Sequence, residues 1–299
     1  MRGLPGETAA GASTVRGIAL FLATVVAFAL LDTIAKHMTR DYHVVQIAWG
    51  RYVFHVAFLA VLMPRHGVLK PLRSARPWFQ VMRAGLLAAM TILFFTGISF
   101  LPLAEAAAIG FVAPLFVTAL AHFLLKEKVG VRRWTAVCIG FLGVLIVIRP
   151  GLGVIHWAAF IILFMAGCNA FYHIATRVLA GVDPPQTTIF YTGIIGALLL
   201  SAAAPFFWQP LDWSGWLKLA AMGFLGGLGH YLLIRAYEFA EPSVVAPYTY
   251  TQIVWMIALG YFVFGDLPDG WTLTGAAVIS ASGIYVFYRE AALRRVGRT

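Results

Sequence analysis

The chain alternates long apolar runs with short polar breaks, ten times over. The runs lie at about 17–38, 44–63, 78–100, 103–125, 132–148, 154–178, 186–207, 215–238, 243–265 and 271–288. A helix needs about 20 apolar residues to cross a bilayer. These runs meet that length and are too long for strands, and they lack the alternation of a membrane barrel. In lipid a helix satisfies its own backbone hydrogen bonds, so the expected fold is an all-α polytopic membrane protein. Residues 1–16 are small and polar and read as a flexible tail, and 289–299 read as a basic tail. The first run is too long for a signal-peptide core and no A-x-A site follows it, so it is expected to be retained.

Composition agrees with the pattern. Of 299 residues, 61% are hydrophobic and 11% charged, and the mean hydropathy is +0.84. Soluble domains carry roughly 25% charged residues, so a soluble enzyme, a nucleic-acid-binding protein and a secreted disulfide scaffold are excluded. Cys138 and Cys168 lie inside apolar runs without CxxC spacing and read as small buried hydrophobes.

The net charge of +10 reports orientation. Fifteen Lys and Arg residues fall on one side, Lys36, Arg40, Arg149 and Lys218 on the other, and Arg51, Arg83 and Arg235 within spans. The positive-inside rule then places both termini in the cytoplasm. An even number of spans requires the same. Seven of the nine tryptophans, among them Trp78, Trp134 and Trp271, lie near span ends, where indoles favour the headgroup level.

The halves repeat. At an offset of 140, Ile34-Ala35 matches Ile174-Ala175 and Gln46 matches Gln186. Leu103-Ala104-Glu105 resembles Phe239-Ala240-Glu241, and Lys126-Glu127 resembles Gly265-Asp266. Gly140 and Gly143 correspond to Ser280 and Gly283. The expected halves, 17–150 and 151–288, carry five spans each. Five is odd, so the second half crosses in the opposite sense. Such inverted repeats supply two related states around a midplane site.

The ten-span layout, the acidic residues closing the fourth and ninth spans (Glu127 and Asp266) and the glycine-punctuated following spans resemble the drug/metabolite transporter superfamily. Within it the chain is most similar to EamA-type exporters and to bacterial aromatic amino-acid exporters of the YddG kind. Pro114 stands where that family often has a proline, whereas Ile253 occupies the matching place in the ninth span. The resemblance implies a bundle with the first, third, fourth, sixth, eighth and ninth spans around a cavity. The second and seventh would lie outside, with the fifth and tenth packed together.

Polar residues at depth supply the candidate site, because intramembrane charge costs about 2.5–3.5 kcal/mol at a helix centre. Asp32 and Arg51 lie about equally far from the turn near residue 41. They sit roughly 9–11 Å deep at 1.5 Å per residue, and an ion pair is expected that either staples the hairpin or serves gating. His230 follows Gly226, Gly227 and Gly229, which either pack a neighbouring helix or bring it to the cavity. Asn169 and His173 share a helical face. Tyr248, Thr251, Gln252 and Trp255 form an amphipathic stripe, faced by Thr91, Phe94 and Phe95. These are the expected substrate-binding residues, against the plainer reading that each is structural. His122 reads as structural, and Arg83 and Arg235 are expected to snorkel toward the cytoplasm. Pro114, Pro247 and the segment Gly226–Gly229 are the expected hinges.

No GxSxG, HExxH, Walker-type loop or metal-ligand spacing occurs. The expected function is export of small amphipathic metabolites, aromatic or bulky apolar amino acids first, by alternating access in the inner membrane. Drugs, nucleotide sugars and lipid-linked phosphates are the alternatives within the superfamily. An intramembrane enzyme and a structural subunit lie outside it. The expected partners are the bilayer and a small-molecule substrate, for a monomer with no cofactor, metal or nucleic acid.

Overall fold

A computed structural model describes residues 5–62, 73–124, 130–149, 156–179, 182–240 and 242–296. The features expected at Arg2, Arg65, Lys70, Lys126, Glu127, Lys128, Glu241 and Arg298 lie outside them. The helices are α1 (Pro5–Met38), α2 (Val44–Leu62), α3 (Pro77–Phe100), α4 (Leu103–Gly110), α5 (Ala113–Leu124) and α6 (Val131–Ile148). They continue with α7 (Ala158–Leu179), α8 (Pro185–Ala203), α9 (Trp213–Phe239), α10 (Pro242–Val245), α11 (Gln252–Leu259) and α12 (Gly270–Val296). Among the described residues, eight helical stretches are long and apolar enough to cross a membrane, and α2 is a shorter apolar one over Val44–Ala60.

The outer helices overrun their apolar cores. α1 begins at Pro5 instead of after a flexible tail, and α12 runs to Val296. Proline suits the first helical turn, the alanines that follow are strong helix formers, and arginines near a helix C-terminus suit its dipole.

Two expected spans are broken. The fourth divides at Phe111–Val112 into α4 and α5, directly before Pro114. The ninth begins as the short helix α10, continues as a 3-10 stretch over Ala246–Thr251 containing Pro247, and returns to α-helix at Gln252. Proline cannot donate to the preceding turn, so a break at these places follows from the sequence. The segment Gly226–Gly229, by contrast, lies in unbroken α9. A methyl on Gly229 would meet the Phe28 ring at 2.6 Å, and one on Gly226 would meet Leu31 at 3.4 Å. These glycines admit neighbouring side chains to the α9 backbone.

α1 lies along α9, α2 against α8 and α9, α3 against α7 and α8, and α6 along α12. The α6–α12 seam is built from small residues. A methyl added at Gly275 would lie 2.6 Å from the Gly143 carbonyl oxygen, and the Ser282 hydroxyl donates to the Ala136 carbonyl. Close backbone approach of this kind is how helices pack in lipid. Cys138 sits exposed on α6 and Cys168 is half-buried, so neither is fully buried as expected.

Candidate functional site

A cavity of about 330 Å³ opens among α2, α3, α7, α8 and α9. Ligand sites run about 300–1,000 Å³. Its wall is apolar along Leu179, Ile189, Leu233 and Ile234 and polar at His55, Arg83, Tyr172, Thr188, Thr192 and His230. The helices named second and seventh by sequence therefore help to line it through His55, Thr188 and Thr192, contrary to expectation. Among the described residues, none from α1, α4, α5 or α11 lines it.

Arg83 is the main correction. It does not snorkel: it is 1% exposed. Its Nη1 donates to the Tyr172 hydroxyl at 2.8 Å, and Nη2 donates to the Thr188 carbonyl at 2.7 Å and to the Thr192 hydroxyl. Nε donates to Gln80 Oε1 at 3.4 Å, and the guanidinium lies 5.0 Å from the centre of the Tyr172 ring. Arg235, by contrast, is half-exposed and paired with Glu238 at 2.7 Å, as a snorkelling residue would be.

Gln80 connects this cluster to the mouth of the cavity. Its Nε2 donates to Asp183 Oδ2 at 2.8 Å and to Thr188 Oγ1 at 3.1 Å. Asp183 also accepts from the Ser74 hydroxyl at 2.5 Å and from the Ala75 N–H at 2.8 Å. Burial works to raise the Asp183 carboxyl, but the hydrogen bonds from Ser74, Gln80 and the Ala75 N–H outweigh it and hold it below the usual carboxylate range.

The opposite end is stitched together. Lys36 donates to the Leu101 carbonyl at 2.6 Å and pairs with Asp266 at 3.5 Å. Arg149, whose left-handed φ of 52° ends α6, pairs with Asp269 at 2.7 Å. Hydrogen bonds from Thr272, helped by the Arg149 charge, hold the Asp269 carboxyl below its ordinary range. Gln46 Nε2 donates to the Gln209 carbonyl at 2.8 Å, and the Tyr42 hydroxyl meets Asp212 at 3.1 Å. α3 starts near Asp183 and ends at Leu101, so these two groups of contacts lie at opposite ends of the bundle.

The expected Asp32–Arg51 ion pair is absent. Asp32 instead accepts from Gln252 Nε2 at 3.4 Å, and Arg51 donates to the Thr91 hydroxyl at 3.0 Å, near the Phe95 ring at 5.8 Å. Equal depth did not bring equal azimuth. His230 does line the cavity, with its ring 5.3 Å from Phe28. Asn169 is half-buried and His173 exposed, and neither lines it. Tyr248 packs against the α1–α9 core, Thr251 donates to the Tyr248 carbonyl at 2.6 Å, and Trp255 is 41% exposed. His122 packs against Phe123 and Trp134, as a structural residue. Sequence reading missed His55 and Tyr172 as cavity residues.

The EamA-like transporter family model matches residues 15–149 and again residues 156–289. The chain belongs to this family. It is a multi-pass membrane transporter of small molecules and not an enzyme. An S-adenosylmethionine uptake transporter of Rickettsia bellii is 27% identical over 274 residues, covering 92% of this chain and 94% of that protein. A riboflavin transporter of Rhizobium johnstonii is 28% identical over 272 residues, covering 89% and 88%. A riboflavin transporter of Vibrio cholerae is 25% identical over 276 residues, covering 91% and 93%. A solved crystal structure matches with a TM-score of 0.60 and 19% identity, over 95% of this chain and 98% of that one, a likeness of fold alone.

Proposed function

We propose that this protein carries a small ring-bearing metabolite across a bacterial inner membrane by alternating access. The two halves form an inverted repeat around the cavity. The observation that carries this reading is the cavity itself, apolar along α7 and α9, polar at Arg83 and His230, reaching the Asp183 end and stitched shut at the Lys36 end. The two successive family matches support the repeat, as does the packing of the last span of each half, α6 on α12. Pro114 and Pro247, at the two broken helices, are the proposed hinges.

The substrate departs from the first expectation. Relatives named for S-adenosylmethionine and riboflavin favour a fused nitrogen heterocycle bearing a polar chain over an amino acid. Net export is not favoured either, because the S-adenosylmethionine relatives are named for uptake. His230 and Thr188 are proposed substrate contacts beside Arg83. Asn169, His173, Tyr248, Thr251, Gln252 and Trp255 are left for the opposite-facing state, with Thr91, Phe95, Asp32 and Arg51 as its gating cluster.

Counterflow in proteoliposomes tests the reading. Vesicles preloaded with unlabelled S-adenosylmethionine or riboflavin should accumulate the same labelled compound transiently and saturably, while phenylalanine and tryptophan exchange at background. Saturable exchange of the amino acids alone would return the substrate to the first expectation.

A further inference from the structure

Arg83 is a buried cation whose partners, among the described residues, are all neutral. Four of its five N–H donors are taken up by Gln80, Tyr172, Thr188 and Thr192, which leaves one hydrogen on Nη1. No carboxylate of the described residues pairs with it. Asp183 stands in the same cavity, yet its oxygens are occupied by Ser74, Ala75 and Gln80. A buried charge without a counter-charge is costly, and in a transporter such a residue marks a substrate pathway.

A second observation is independent of the first. His55, on α2, lines the same cavity and is 4% exposed, and its Nε2 has no hydrogen-bond partner. When the imidazole carries its proton there, Nε2 is a donor. A buried polar atom left unpaired normally has a partner in some functional state.

We propose that Arg83 and His55 form an oxyanion subsite, so that the transported substrate carries a carboxylate or phosphate on its polar chain. This rests on the proposed ring-bearing substrate and narrows it. The oxyanion supplies the counter-charge that Arg83 lacks, accepting from the remaining Nη1 hydrogen and, once the imidazole turns to bring it into the cavity, from His55 Nε2. A guanidinium suits either acid, since both offer paired oxygens in a plane or fork. The ring then lies along Leu233 and Ile234, on the apolar wall. A substrate without an acid gains nothing from the subsite.

Two matched pairs test this on the purified full-length protein. S-adenosylmethionine and its decarboxylated form differ by one carboxylate, and flavin mononucleotide and riboflavin differ by one phosphate. Binding is read as ligand-dependent thermal stabilisation and checked by counterflow. The acid member of one pair should bind at least about tenfold more tightly than its mate, and which pair does so separates a carboxylate from a phosphate. Arg83→Gln should reduce that preference to within about twofold, read as the ratio of the two affinities within each pair. Arg83→Lys should retain part of it, and His55→Gln should lower it severalfold. Should Arg83→Gln misfold, the wild-type pairs and His55→Gln still decide. Equal binding within both pairs overturns the oxyanion subsite alone. A preference that survives in well-folded Arg83→Gln does the same. Binding by none of the four compounds overturns the ring-bearing substrate and the subsite with it.

Discussion

Single residues show where a sequence yields depth but not direction. Asp32 and Arg51 were placed at one level by their distance from the turn, yet each points to a different neighbour, Gln252 and Thr91. Asp183 shows how a loop carboxylate braces the cavity mouth, tying α3's start to the α7–α8 turn through Ser74, Ala75 and Gln80. Hydrogen bonds to a charged group contribute about 1.5–3 kcal/mol, so Asp183→Asn should cost about 1–3 kcal/mol of stability at neutral pH. The pH dependence has a definite sign. The carboxyl is held below its ordinary value in the folded protein, so its contribution is full above about pH 4 and disappears as pH falls through the depressed folded value. Wild type should therefore lose melting temperature between pH 5 and pH 3 more steeply than Asp183→Asn, and parallel curves for the two would contradict this role. Arg83 was legible in principle. Gln80, Arg83 and Thr91 recur at helical spacing on one face of α3, and Tyr172 with Thr176 and Thr188 with Thr192 lie one turn apart on α7 and α8. Three polar stripes of this kind face one another in the bundle, whereas a lone arginine near a span end reads as a snorkelling one.

Helices were the most legible level, because length and apolar periodicity fix them before any packing is known. The interruptions were legible as well, since Pro114 and Pro247 mark the two broken spans. The glycines of α9 were ambiguous, because glycine serves both bending and close approach. In this conformation Phe28 and Leu31 occupy the space a side chain would need. The same reasoning makes the α6–α12 seam sensitive to bulk. Gly275→Leu pushes four carbons toward the Gly143 carbonyl and Val147, and overpacking typically costs about 1–3 kcal/mol. Melting in detergent should fall by several degrees for Gly275→Leu. Gly130→Ala serves as the control, since nothing lies within 4 Å of the added methyl and its φ of −71° suits alanine. Comparable losses in both variants would mean that the seam does not set stability. Which spans enclose the cavity was not legible, because a period of 3.6 residues identifies a buried face without naming the helix that covers it.

The molecule as a whole has one end stitched and a cavity at the other. We propose, from the distribution of positive residues, that the Asp183 end faces the cytoplasm, so this conformation should admit reagents from the cytoplasm and exclude them from outside. Thr176, in the cavity wall on α7, provides the reporter. With Cys138 and Cys168 replaced by alanine, Thr176→Cys should react with a membrane-impermeant maleimide in inside-out vesicles and remain slow in right-side-out cells. The outer closure rests on Lys36 with Asp266 and the Leu101 carbonyl, and on Arg149 with Asp269. Partly exposed ion pairs contribute only about 0–1 kcal/mol each, so the closure is weak enough to open during a transport cycle. Removing both pairs with Lys36→Gln and Arg149→Gln should shift the balance between the two facing states by up to about 2 kcal/mol, a factor of up to roughly 30. Labelling of the Thr176→Cys reporter from outside should then rise severalfold, while cytoplasmic labelling falls only by the small fraction moved out of the majority state. If outside labelling already equals cytoplasmic labelling with both pairs intact, the stitched end is not a closed gate. If removing both pairs leaves outside labelling unchanged, these pairs do not hold the closure.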